Sequence, residues 1–194
     1  LSHVPMRSLD IGSNDGLFLS VLRDKFGTNI LGIDPALNAC EYANSLNIPT
    51  INNFFKYSES VQIRNQYGTF DHISANNVFA HNDGLNDFAK GISNLLESGG
   101  VFSFEISYLL DIVEKSLVGT IFHEHLSHHS LTPLIPFLAK FDLHLFHAQR
   151  VDTQGGSLIC LASKTELKAR TPDLEELLAE EALKMCTASS YADT

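Results

Sequence analysis

Residues 119–130, "GTIFHEHLSHHS", carry four of the chain's nine histidines, His123, His125, His128 and His129, around one carboxylate, Glu124. Imidazole suits three tasks: ligating a metal, moving a proton near neutral pH, or keeping a loop solvated. An HxH pair beside an HH pair could offer nitrogen ligands to zinc or iron. Histidines from one short segment seldom complete such a site without carboxylates or thiols from elsewhere, so no metal is expected. Proton transfer needs an imidazole beside an atom whose proton it can take. In an extended stretch His123 and His125 project to one side and Glu124 to the other. His128 and His129 read as solvent-facing residues at the start of the next helix. The choice among these tasks turns on what the rest of the chain can bind.

The elements that must position these residues alternate in type. Strand-like runs ("RSLDIG", "NILGIDP", "FDHISANN", "GGVFSFEIS") alternate with helical patterns ("NDGLFLSVLRDKF", "ALNACEYANSL", "LNDFAKGISNLL"). That order predicts βαβ units and a mostly parallel sheet with right-handed crossovers, an α/β doubly wound arrangement. "LTPLIPFLAKF" then reads as a helix with Pro133 near its start. "DLHLFHAQRVDTQGGSLICLAS" reads as two strands joined at "DTQGG", a terminal antiparallel hairpin. "TPDLEELLAEEALKM" reads as an amphipathic helix capped by Thr171, with Pro172 in its first turn. Residues 1–165 are expected to form one domain, and 166–194 to begin a further, truncated unit.

Within that order a nucleoside pocket is legible. "LDIGSNDGLFL", residues 9–19, is strand, then a turn bracketed by Gly12 and Gly16, then helix. Glycines there allow positive φ and close approach of a ligand, and the helix start offers free N–H groups. The spacing is GxxxG rather than the GxGxxG of dinucleotide folds, which disfavours a dehydrogenase. Asp34, at the end of the second strand-like run, can accept hydrogen bonds from ribose hydroxyls or bind the start of its own helix. Asn76, Asn77 and His81 follow the third run, at the edge where open α/β sheets bind ligands. Glu105, at the end of the next run, could orient substrate or be a structural carboxylate. Tyr108 could supply a hydroxyl to the site.

The net charge of −10 argues against wrapping a nucleic-acid backbone, and no apolar run reaches membrane-spanning length. No nucleic-acid or membrane partner is therefore expected. Oligomeric state leaves no mark in the sequence. Three well-separated cysteines fit a reducing compartment, hence the cytoplasm. The opening residues read straight into a strand rather than as a secretory leader, and the chain reads as a piece of a longer protein.

The combination "LDIGSNDG", "GIDP", "FDHISANNVFAHN", "GGVFSFE" and "GTIFHEHLSHHS…GGSL" resembles the class I S-adenosylmethionine (SAM)-dependent methyltransferases, and within them the sugar C-methyltransferase family. The resemblance covers roughly residues 5–165. It implies a Rossmann-like class I methyltransferase sheet, with SAM as cofactor. It implies a small-molecule substrate, with methylation of the carbon beside the ketone of a nucleotide-linked 4-keto-6-deoxysugar. Asp10, Gly12, Ser13, Asn14 and Gly16 would belong to the SAM loop, and Asp34 with Pro35 to the ribose side. Asn53, Phe54 and Phe55 would lie near adenine, and Asn76 and Asn77 on the methionine or transfer side. His125 would be the base, assisted by Glu124 and His81. Family members usually carry a small N-terminal zinc-binding region and a longer C-terminal domain. Three positions depart from the family pattern: Phe122 stands where many relatives have Tyr, His128 and His129 where aromatics are common, and Ile159 where Arg often follows GGSL. An O- or N-methyltransferase of another small metabolite, or a non-catalytic SAM- or nucleotide-binding module, are the alternatives.

Overall fold

The computed structural model describes residues 6–120, 125–164 and 168–185. Its seven strands are β1 (Arg7–Ile11), β2 (Asn29–Asp34), β3 (Thr50–Asn52), β4 (Phe70–Asn76), β5 (Leu96–Ser107), β6 (Leu143–Val151) and β7 (Ser157–Lys164). The helices are α1 (Leu17–Phe26), α2 (Leu37–Ser45), α3 (Tyr57–Tyr67), α4 (Leu85–Leu95), α5 (Leu109–Glu114), α6 (Leu131–Ala139) and α7 (Pro172–Lys184). One sheet runs in the order β3-β2-β1-β4-β5-β7-β6, with β7 antiparallel to both its neighbours and the other pairs parallel. This is the expected Rossmann-like methyltransferase sheet with its closing hairpin. One strand was not expected: the three-residue β3 precedes Phe70–Asn76, which is therefore the fourth strand and not the third.

The chain order reverses between β1 and β4. The first three strands build outward on one side of β1, and β4 begins the other half. A crevice opens where neighbouring connections leave in opposite directions, at the carboxyl ends of β1, β2 and β4. That edge gathers Gly12, Asp34 and Asn76.

Apolar periodicity explains the packing. In α4, Leu85, Phe88, Ile92 and Leu95 recur on one helical face, and the last three are buried. Each such fully buried side chain contributes about 1.5–3 kcal/mol of transfer free energy. The large core joins them to Leu9, Ile73, Phe102 and Phe104 of the sheet. The helix placed at 172–184 lays Leu174 and Leu177 into that same core. Thr171 precedes it as expected, but its hydroxyl makes no capping bond and pairs with His147 Nδ1 at 3.0 Å.

A polar layer runs through the buried middle of the sheet. Ser8 and Asp10 of β1 pair in register with His72 and Ser74 of β4. His72 Nδ1 meets Ser8 Oγ at 2.7 Å and Nε2 meets Ser103 Oγ at 2.8 Å. Burial lowers the His72 ring to about 4, so it is neutral at physiological pH. Asp71, at the opposite end of β4 from the crevice, accepts the N–H groups of Met6 and Arg7 and is structural. Among the described residues no helix is long and apolar enough to cross a membrane.

Candidate active site

The strand-to-helix turn after β1 forms the near wall. Gly12 has φ +73°, and a Cβ there would lie 2.7 Å from Val78 Cγ2, so only glycine lets the turn approach the loop after β4 this closely. Gly12 N donates to Ile33 O, and the left-handed Asn14 donates its N–H to Asp34 Oδ2 at 2.9 Å. Asp34 Oδ1 accepts from Ala36 N at 2.8 Å, while Ala36 itself occupies the cap position of α2. The Asp34 carboxylate thus ties the loops after β1 and β2 together instead of capping the helix. Asn53 N and the Asn52 side-chain amide both donate to Asp34 O, which pins the end of β3 to the same rim.

Between these loops lies a cleft of about 870 Å³. Of the residues singled out in the sequence, Gly12, Asn14, Asp34, Pro35, Asn53, Phe54, Phe55, Asn76, Asn77 and His81 line it. Phe54 is exposed, whereas Phe55 is buried edge-on against Phe88.

Three of the expected SAM-loop residues lie behind the wall. Gly16 turns the chain into α1 against Ile48. Ser13 is buried in the notch left by Gly32, where a Cβ would sit 2.5 Å from its Oγ. Asp10 is buried beneath the floor and accepts from Ser74 Oγ at 2.6 Å. Burial pushes its carboxyl up to about 7; the Ser74 bond partly opposes this and the Asp34 charge adds to it.

The far wall presents the histidines. Asn77 adopts φ +57° and donates its N–H to Glu105 O at 2.9 Å. A short 3₁₀ turn, Phe79–His81, follows, anchored by Phe79, which stacks on Phe104 at 5.0 Å and stands edge-on to Phe88. The turn carries exposed His81 to a point where the cleft meets a second cavity of about 330 Å³. Asn77 and His81 line both spaces, and His125 lines the second.

The His81 and His125 ring centres lie 4.9 Å apart, and Leu126 N donates to Ala80 O at 2.7 Å. His125 Nδ1 lies 2.8 Å from the Thr120 carbonyl. A carbonyl only accepts, so Nδ1 carries the hydrogen and Nε2 is the basic atom of the neutral ring. Glu124, with His123 and Phe122, lies outside the described residues. Among the described residues no group of three or more His, Cys, Asp or Glu side chains is arranged to hold a metal ion.

Other residues depart from their expected places. His128 and His129 are half-buried rather than fully solvent-facing. His128 stands edge-on to His125 at 5.9 Å, and His129 stands edge-on to Phe79 at 5.7 Å. Burial lowers both rings, with a further push from the neighbouring histidine in each case. Tyr108 is fully buried beside Arg150, not in the cleft, and burial followed by the Glu181 carboxylate pushes its phenol far up. Glu105 accepts from Thr153 Oγ1 at 2.6 Å and also faces the second cavity.

Sequence reading missed Asp87, whose carboxylate receives Tyr57 N at 2.8 Å on the cleft rim, and Gln154, which enters the second cavity from the hairpin. The left-handed Gln154 follows from the "DTQGG" turn, a signal that was present. Asp87 gave none, because its partner is 30 residues away.

The cleft fits an adenosyl cofactor. A glycine turn that a Cβ would fill stands on one side, a carboxylate at the end of β2 stands on the rim, and Phe54, Phe55, Ile33 and Val78 offer apolar walls.

Comparison with known proteins agrees. The methyltransferase-domain family pattern matches residues 2–149. The C-methyltransferase NovU of Streptomyces niveus is 30% identical over 174 residues, covering 89% of this chain and 41% of the relative, so the chain spans less than half of that protein's length. A SAM-dependent methyltransferase from Archaeoglobus fulgidus superposes with a TM-score of 0.65 at 13% identity, covering 81% of this chain and 86% of the other. Magnesium protoporphyrin IX methyltransferase from Synechocystis PCC 6803, solved with bound SAH, gives 0.63 at 14% identity, covering 84% and 76%. The chain belongs to the methyltransferase-domain family, of the class I kind that uses S-adenosylmethionine.

Proposed function

We propose that this chain is the methyl-transfer domain of a C-methyltransferase acting on the carbon beside the ketone of a nucleotide-linked keto-deoxysugar. The observation that supports the reading is that the His125 ring, its Nδ1 engaged by the Thr120 carbonyl, stands beside His81 where the cleft meets the second cavity. The likeness to NovU, a C-methyltransferase, supports it.

A carbon beside a ketone becomes nucleophilic only after losing a proton. His125 takes that proton at Nε2, and the Thr120 carbonyl steadies the imidazolium that results through Nδ1–H. His81 and the Asn77 amide, which line both spaces, hold the enolate oxygen by hydrogen bonds that strengthen as charge develops. Glu124 assists the pair. The cofactor, when bound, supplies an electrophilic sulfonium methyl group. The rest of the chain orients it: Asp34 toward the ribose, the Gly12 turn along its length, and Phe54 and Phe55 beside the adenine. The polar lining of the second cavity, including Glu105, Ser107 and Gln154, suits a hydroxylated acceptor.

The test is a His125→Ala variant offered a nucleotide-linked keto-deoxysugar in deuterated water. It is expected to lose methylation and washout of the acceptor carbon's proton, and to keep SAM affinity. Washout at the parent rate would remove His125 as the base. Methylation with the acceptor carbon's proton retained would mean transfer to oxygen or nitrogen.

A further inference from the structure

Glu181 is a buried carboxylate that no step above uses. It sits on α7, beyond the span of the family match, with 2% of its surface exposed. Its Oε1 accepts Leu131 N at 2.6 Å. Its Oε2 accepts Thr132 N at 2.8 Å and Thr132 Oγ1 at 2.6 Å. These are the first residues of α6, so the carboxylate satisfies two backbone donors that the helix itself cannot, and lies at the positive end of its dipole. Burying a charge is unfavourable unless such bonds offset it.

The residues just before α6 are the histidine segment. His129 precedes Leu131 by two positions; its carbonyl receives Leu109 N at 2.9 Å and its ring braces Phe79, which begins the His81 turn. His128 packs edge-on against His125. The segment is therefore held at its start by Leu126 N on Ala80 O and at its end by Glu181. The Glu181 end is itself fastened: Glu180 and Lys184 pair with Arg150 and Glu114, and Arg150 pairs with fully buried Asp111.

We propose that Glu181 is a positioning residue: by clamping the first turn of α6 it sets the His128–His129 brace that holds His125 on the Thr120 carbonyl beside His81. α7 is on this account part of the reaction centre's scaffold. The inference rests on the reading of His125 as the base.

The test uses this chain with Glu181→Ala, Glu181→Gln and Thr132→Val. Nitrogen-detected imidazole spectra report which ring nitrogen of His125 carries the proton, and calorimetry reports SAM binding. The parent is expected to show a single Nδ1–H form. Glu181→Ala is expected to lose it for a mixture of tautomers, with SAM affinity kept. Glu181→Gln, which retains one acceptor oxygen, should recover much of the parent pattern, and Thr132→Val should fall between. If Glu181→Ala does not fold, the two milder variants decide. A parent-like tautomer in every folded variant overturns the proposal, as does loss of SAM binding in step with the tautomer change, which marks a general structural role. Because the readout is the His125 tautomer and not turnover, it fails independently of the washout test on His125.

Discussion

Replacing His72 with glutamine removes one titrating group from the middle of the sheet while keeping one donor and one acceptor for Ser8 and Ser103. The ring is 5% exposed and lowered to about 4 from 6.5, with burial as the cause. Between those two values the unfolded chain binds a proton that the folded chain refuses. Stability from this group is therefore intact above pH 6.5 and is lost as pH falls toward 4. At about 1.4 kcal/mol per unit, going from pH 7.5 to 4.5 removes roughly 2.5 kcal/mol through His72 alone. Urea unfolding of the parent and His72→Gln at both pH values isolates this amount as the difference of differences, whatever the substitution costs at pH 7.5. Two profiles that stay parallel within about 0.5 kcal/mol would refute the claim that a buried neutral imidazole joins β1, β4 and β5.

Asp10 acts in the opposite sense over nearly the same window. Its carboxyl is raised to about 7, so the folded chain holds a proton that the unfolded chain releases above pH 4, and stability falls as pH rises from about 4 to 7. Asp10→Asn is expected to flatten that fall by roughly 3 kcal/mol between pH 4.5 and 7.5 in the same urea series. Gly12→Ala adds left-handed strain of about 1–2 kcal/mol and drives a Cβ against Val78 on the cleft wall. It should lower both the thermal midpoint and SAM affinity, read by scanning and titration calorimetry; a variant that binds SAM as the parent does would show that the turn does not shape the cleft.

The parts of this molecule that were legible in the sequence are those set by neighbours. The GxxxG turn, the carboxylate at the end of β2 and the "DTQGG" hairpin depend on residues a few positions apart, and each stands where the pattern placed it. β3 escaped because three polar-edged residues, Thr50–Asn52, show no periodicity. Thr171 looked like a helix cap because Thr-Pro often is one, but its hydroxyl is taken by His147, 24 residues earlier. His128 and His129 looked solvated because their partners, His125 and Phe79, meet them only when α6 docks. The same distance hid Glu181, 50 residues from the N–H group it receives.

The most direct test of the account is a calorimetric titration of SAM into this chain and into Asp34→Asn. Asp34 holds the two loops that form the cleft, and its carboxylate is the group assigned to the ribose. The account predicts one saturable site in the parent, weakened about ten- to a hundred-fold in Asp34→Asn as charge-assisted hydrogen bonds are lost. No saturable binding to the folded parent, or equal affinity in the variant, would contradict it.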